Sequence, residues 1–166
     1  LTYFTAEDTA HNVITSGGVE IAVQEWADEE KTAPFEDLTG VMPNTTVTKI
    51  AEIKNTGASD AWVRVKVEKN IRLGTEIPGV DNPQEELVAL DINTLDWELD
   101  TEGFYRYKSA LKPGETTKPI LRSVEFKPAM GNVYQNAQIS VDISAQAVQY
   151  ANNGTTVMAA QGWPTT

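Results

Sequence analysis

The sequence predicts an all-β fold, a jelly-roll-like sandwich of two sheets, and three observations predict it. The first is alternation. Val63, Val65 and Val67 are separated by Arg64 and Lys66, and Ile139, Val141, Ile143, Ala145 and Ala147 by Ser140, Asp142, Ser144 and Gln146. Period two gathers each apolar set on one face of a strand, whereas on a helix the valines would spread round the axis. The second is punctuation: roughly eight short β-prone stretches are parted by turn residues such as Ser16-Gly17-Gly18, Lys112-Pro113-Gly114 and Asn152-Asn153-Gly154. The third is content. Hydrophobic residues make up 40% of 166 residues, enough for a core in one domain.

The stretch Val47–Val67 organises the rest. It reads V-T-K-I-A-E-I-K, then N-T-G-A-S-D, then A-W-V-R-V-K-V, two strands and a turn. The pattern predicts a hairpin in the core, valines inward and Arg64 and Lys66 outward. Asn55, Gly57, Ser59 and Asp60 are expected to supply positive φ and local side-chain bonds at the turn.

Taken in order, Leu1–Thr5 is β-prone and aromatic, which is unusual for a terminus. It has two readings: the first strand of the chain's own sheet, or a strand lent to a neighbour. Strands follow at Asn12–Thr15 and Val19–Glu25. Trp26–Gly40 reads as an acidic, irregular loop whose carboxylates match no EF-hand spacing, so solvation is expected there. Ile71–Gln84 is rich in breakers. Phe104–Lys108 is strand-like. Lys112–Glu115 has the Pro and Gly positions of a type II turn, and Pro119 suggests an edge or a bulge. Ala137–Tyr150 is the cleanest amphipathic strand. Thr155–Gln161 predicts a short helical turn, with Thr155 or Thr156 as cap, Gly162 as stop and Trp163-Pro164 packing the end.

Charge and composition exclude several functions. A net charge of −11, from 24 acidic and 13 basic residues, repels nucleic acid and anionic lipid. No apolar run approaches the ~20 residues of a membrane helix. No signal peptide is legible, and the sequence opens on Leu1 rather than Met, as after removal of a leader or trimming. The absence of cysteine removes disulfides, zinc thiolates and thiol nucleophiles. His11 is the single histidine; H-E-x-x-H, G-x-S-x-G and phosphate-loop motifs are absent. His11 is therefore expected to be exposed and inert. No enzymatic activity, metal or other cofactor is expected. Trp26, Trp62, Trp97 and Trp163, with Tyr105 and Tyr107, are candidates for a sugar-stacking platform, Trp97, Tyr105 and Tyr107 first among them, against the alternative that large aromatics fill the core.

Four stretches carry a resemblance to a family. They are Y-F-T-A-E-D-T-A-H-N-V-I-T-S-G-G-V-E-I (Tyr3–Ile21), K-N-T-G-A-S-D-A-W-V-R-V (Lys54–Val65), G-F-Y-R-Y-K-S-A-L-K-P-G-E-T-T (Gly103–Thr117) and M-G-N-V-Y-Q-N-A-Q-I-S-V-D-I-S-A-Q-A-V-Q (Met130–Gln149). Together, and in this order, they resemble the TasA/CalY (camelysin-like) secreted proteins of Gram-positive biofilms, which are exported through a SipW-type signal peptidase. The resemblance implies a jelly roll, secretion to the cell surface, and homopolymeric extracellular fibres in which the N-terminal strand of one subunit enters the sheet of the next. Other matrix components are further partners that the resemblance allows. It implies a donor strand of Leu1, Thr2, Tyr3, Phe4 and Thr5 within an N-terminal segment 1–10, and a sandwich domain over 11–166. Ten extended residues reach roughly 33 Å, enough to cross to a neighbour. Burying Tyr3 and Phe4 there would contribute about 1.5–3 kcal/mol each. The metalloprotease activity ascribed to some camelysin relatives does not carry over, because one histidine cannot build their site. The competing expectation is a monomeric cell-surface module that binds carbohydrate.

Overall fold

The computed structural model describes residues 4–8, 11–74 and 83–165. It is an all-β sandwich, jelly-roll-like, of two packed sheets. The strands are β1 (Phe4–Ala6), β2 (His11–Thr15), β3 (Ile21–Trp26), β4 (Leu38–Val41), β5 (Thr45–Asn55), β6 (Ala61–Arg72), β7 (Val88–Ile92), β8 (Trp97–Leu99), β9 (Tyr105–Tyr107), β10 (Leu121–Phe126) and β11 (Gln138–Gln149). The larger sheet runs β4-β1-β11-β6-β9-β8, with β2 also on β11; the smaller runs β3-β5-β10-β7.

The amphipathic stretches form the centre of the larger sheet. β6 and β11 are paired antiparallel from Ala61↔Gln149 to Arg72↔Gln138. Their apolar faces, Val63, Val65, Ile143, Ala145 and Ala147, lie against Ala51, Ile53 and Leu121 of the smaller sheet, and all are essentially inaccessible to solvent. Each of the valine, isoleucine and leucine side chains contributes about 1.5–3 kcal/mol through burial, and each alanine methyl less than about 1 kcal/mol.

Val47–Val67 is not a hairpin. Its arms, β5 and β6, belong to different sheets, and the turn between them carries the chain across the sandwich. Both arms are patterned for burial, and period two says which face is buried but not which strand lies alongside. None of the turn residues has positive φ. The bend is instead held by the Asn55 amide: Oδ1 accepts the Gly57 N–H at 2.9 Å, and Nδ2 donates to Ser59 O at 2.8 Å and Leu111 O at 2.9 Å. Gly57 serves close approach, since a Cβ there would stand 3.0 Å from the Glu20 backbone nitrogen. Lys112–Glu115 does use the expected freedom: Gly114 has φ +81° and the Glu115 N–H reaches Lys112 O at 2.9 Å.

The outer faces are also partly covered, so polar residues of the alternating strands are buried. The segment after Trp26 folds back along the edge of β3, where Pro34 bridges Trp26 and the Phe35 N–H bonds Glu25 O at 3.3 Å. Its Phe35 is buried 3.8 Å from Lys49 Nζ, and Lys31 Nζ is 2.6 Å from the buried Glu52. β4, which ends that segment, replaces part of the predicted loop. On the larger sheet, Arg64 and Gln146 are 2% exposed beneath Phe104 and Trp163. Val157–Ala159 forms the short C-terminal turn, of 3-10 type, with Thr156 at its N-cap but without a side-chain capping bond.

Candidate strand-exchange site

β1 is threaded between two strands remote in sequence. It pairs parallel with β11 (Thr5↔Gln138, Ala6↔Ile139) and antiparallel with β4 (Phe4↔Val41, Ala6↔Leu38). The Thr5 N–H donates to Ala137 O at 2.9 Å and the Glu7 N–H to Ile139 O at 2.7 Å. No hairpin joins β1 to either neighbour. Main-chain bonds and one large side chain hold it. Phe4 is 2% exposed, with its ring centroid 4.9 Å from that of Phe126. Packing beneath is tight: the cavity lined by Ala6, Phe35, Val124, Phe126 and Ile139 has a volume of about 10 Å³, room for no more than about one water.

Of the predicted donor residues, Phe4 and Thr5 thus lie in a strand of the chain's own sheet. Leu1, Thr2 and Tyr3 fall outside the described residues. β4 has β1 as its single partner in the sheet order, so the placement of β1 also fixes β4.

β2 continues along the same edge of β11, also parallel, with His11↔Ile143 to Thr15↔Ala147. The register slips by one residue between β1 and β2: Ala6 to His11 spans five residues, Ile139 to Ile143 four. The connector is anchored at Glu7, whose Oε1 is 2.8 Å from Arg72 Nη2, and at Asp8, whose N–H meets Asp37 Oδ1 at 2.6 Å. The first is an exposed pair and stabilises little.

His11 is exposed, as the sequence suggests, but it is not free of contacts. Its Nε2 hydrogen-bonds Glu25 Oε1, and Glu25 Oε2 lies 2.5 Å from Lys49 Nζ. The Glu25 and Lys49 side chains are each 3% exposed, so the imidazole caps a buried ion pair where β2 meets β3. The hydrogen bond to Glu25 raises the His11 pKa; partial burial and Lys49 oppose this, and the Glu25 and Asp8 charges support it. Burial alone would raise the Glu25 carboxyl, but the His11 and Lys49 contacts outweigh it and hold it low. One sequence signal was present: Glu25 continues the apolar set Val19, Ile21 and Val23, so period two puts a carboxylate on the buried face, where it requires a partner.

The pH dependence follows from these directions. A histidine raised on folding stabilises below its ordinary value of about 6.5, and that contribution fades as pH rises through the raised value. A carboxyl lowered on folding stabilises above its ordinary range, and the contribution fades as pH falls through the lowered value. The clamp therefore acts between the Glu25 titration in acid and the His11 titration above 6.5. Replacing His11→Gln should remove the wild-type decline in urea midpoint from pH 6 upward. The expected difference is about 0.5–1 kcal/mol, kept small by solvent screening because the imidazole is 37% exposed. Parallel midpoint–pH curves for the two proteins would show that the contact is not formed in solution.

Of the sugar-platform candidates, Trp97, Tyr105 and Tyr107 do not form an accessible stacking surface. Trp97 is 1% exposed, its ring centroid is 4.9 Å from that of Tyr107, and its Nε1–H bonds Lys118 O at 3.1 Å. Tyr105 and Tyr107 are half-buried against the same core. The acidic loop closes on itself: Asp28 Oδ1 accepts the Thr32 and Ala33 N–H groups at 2.9 and 3.0 Å. Among the described residues, no group of three His, Asp or Glu side chains is placed to hold a metal ion. No described helix is long and apolar enough to cross a membrane. Comparisons with protein-family models, curated proteins and solved structures gave no match.

Proposed function

We propose that the chain is a structural subunit of an extracellular fibre, secreted into a biofilm matrix, that polymerises head-to-tail by exchange of its N-terminal strand. The observation that carries this reading is the way β1 is held: a short strand bonded through its main chain between β4 and β11, joined to neither by a hairpin, with Phe4 as its anchor. The same segment of another copy offers identical bonds and an identical ring, which is the requirement for strand addition and for swapping an element between protomers. Each subunit would fill one slot and leave its own to be filled, and such a contact grows into a filament if it does not close. The resemblance to TasA/CalY proteins supports the same reading, including secretion. Burial of Trp97 removes that ring as a sugar-stacking surface.

The cysteine-free background allows a direct test. Thr5 and Gln138 are register partners on adjacent strands, whose spacing of about 4.8 Å is within disulfide reach. The double variant Thr5→Cys, Gln138→Cys, oxidised as a monomer, should form no fibres by electron microscopy until it is reduced. Oxidised after assembly, it should give a ladder of covalent multimers on a denaturing gel. Fibres whose cross-links all lie within single chains would refute strand exchange.

A further inference from the structure

The outer face of the larger sheet carries a cluster that strand exchange does not use. Gln146, Arg64 and Arg106 stand side by side on β11, β6 and β9, as their pairing Gln146↔Arg64↔Arg106 requires. Two like charges directly opposed on neighbouring strands repel, and here one buried carboxylate bridges them. Asp100 Oδ2 lies 3.3 Å from Arg64 Nη1 and 3.0 Å from Arg106 Nε. Two guanidiniums and one buried carboxylate leave a net charge of one positive unit beneath the surface. Glu102 lies above it at 3.7 Å from Arg64, with its side chain 64% exposed. Glu98, opposite Arg106 in register, is exposed at the rim, and Lys66 stands 4.8 Å from the Phe104 ring.

Arg64, Arg106, Gln146, Glu102 and Phe104 line an open cleft of about 530 Å³. The Trp163 ring forms one wall, 4.7 Å from the Arg64 guanidinium and 5.1 Å from that of Arg106. Phe104 is 4.0 Å from Arg64. Gln146 contributes a second polar feature: its Oε1 accepts Arg64 Nε–H at 2.8 Å, while its buried Nε2 has no acceptor among the described residues.

We propose that this cleft binds an organic carboxylate, with the acid group taking the place of Glu102 over the arginine pair and an adjoining apolar face resting on Trp163. The reasons are complementary. Arg64 Nε and Nη1 are engaged by Gln146 and Asp100, and Arg106 Nε and Nη1 by Asp100 and the Val157 and Met158 carbonyls, so an incoming acid would meet the remaining Nη2 groups. Guanidinium suits carboxylate and phosphate alike, and the apolar wall favours a carboxylate carried on an organic frame. An indole wall suits a saturated ring or aliphatic stem. Dispersed anions are repelled by a chain of net charge −11, so attraction confined to one cleft selects by shape as well as by charge. A uronic acid and a peptide C-terminus both present this chemistry.

Side-chain NMR of the nitrogen-15-labelled chain tests it. The probes are trigalacturonate, its methyl ester, an acetylated tripeptide with a free C-terminal carboxylate, and the corresponding amide. The expected result is a saturable shift of the Arg64, Arg106 and Trp163 N–H signals with at least one acid, absent with its neutral counterpart. The acid that binds tighter identifies the source. Glu102→Gln should tighten binding by about twofold to fivefold, the scale of an exposed ion pair. Equal shifts from acid and neutral forms, or no saturation with either acid at about 10 mM, would overturn the assignment. So would weaker binding in Glu102→Gln.

Discussion

Phe4→Ala is expected to destabilise the single chain by about 3–5 kcal/mol, the usual loss when a buried phenylalanine is cut back and its space is only partly refilled. Phe4 is 2% exposed against Phe126 and Ile139, and the cavity beneath β1 is already small, so the new void has little room to collapse. Urea denaturation of the monomer gives the value. The same substitution also tests the fibre. In an exchanged assembly each slot is filled by a neighbour's Phe4, which makes the contacts that the chain's own Phe4 makes in the monomer. The fibre should therefore lose about as much stability per subunit as the monomer does. Wild-type and variant fibres compared by urea dissolution should differ by the same free energy, within error. If the monomer is weakened and the fibre is not, subunits are joined somewhere other than this slot.

Asp100→Ala should be comparably severe, at about 3–5 kcal/mol, because it leaves two guanidiniums buried beside each other with only the exposed Glu102, 3.7 Å from Arg64, as counter-charge. Asp100 also holds the β8–β9 turn: its Oδ1 accepts the Glu102 N–H at 2.8 Å and the Phe104 N–H at 2.9 Å. Burial alone would raise its pKa, but these N–H groups and Arg106 outweigh that and keep the carboxyl low. Asp100→Asn separates the contributions. It preserves an acceptor for the turn while removing the charge, so its loss should fall between wild type and Asp100→Ala. Equal stability of Asn and wild type at neutral pH would mean that the arginines are balanced by other groups.

Fold class was legible because alternation is a direct print of the two-faced strand, and it was cleanest where the core is deepest, in β6 and β11. Partnership was not. β5 and β6 look like a hairpin in sequence, yet they pair in different sheets, because the hydrophobic pattern fixes faces and leaves neighbours undetermined. β4 was hidden for a related reason. Leu38–Val41 is a short edge strand with one buried residue, Val41, too little for a periodic signal. The buried polar groups were the least legible. Arg64, Gln146 and Glu52 occupy positions that alternation assigns to solvent, and segments distant in sequence cover them, with Trp163 over Arg64 and Lys31 beside Glu52. Lys49 instead falls in phase with Val47, Ala51 and Ile53, and Phe35 lies beside it. The β-prone aromatic start did mark β1 as a strand. Its pairing within the chain's own sheet was one of the two readings that the residues allowed.

β1 also works as a shield. It covers the Gln138–Ile139 end of β11 and holds β4 outside it. Without β1, that margin of the larger sheet would present unpaired N–H and C=O groups beside exposed Phe126 and Val41, a template to which any extended chain could add. A subunit waiting in solution is thus protected from indiscriminate pairing by the segment proposed to link it to its own kind. The two duties constrain the sequence together. A β1 that fits better guards the single chain more securely and opens more slowly; one that fits worse opens readily and exposes the margin to foreign strands. A three-residue strand with a single aromatic anchor keeps the guarding contact small enough to be released and specific enough to be replaced.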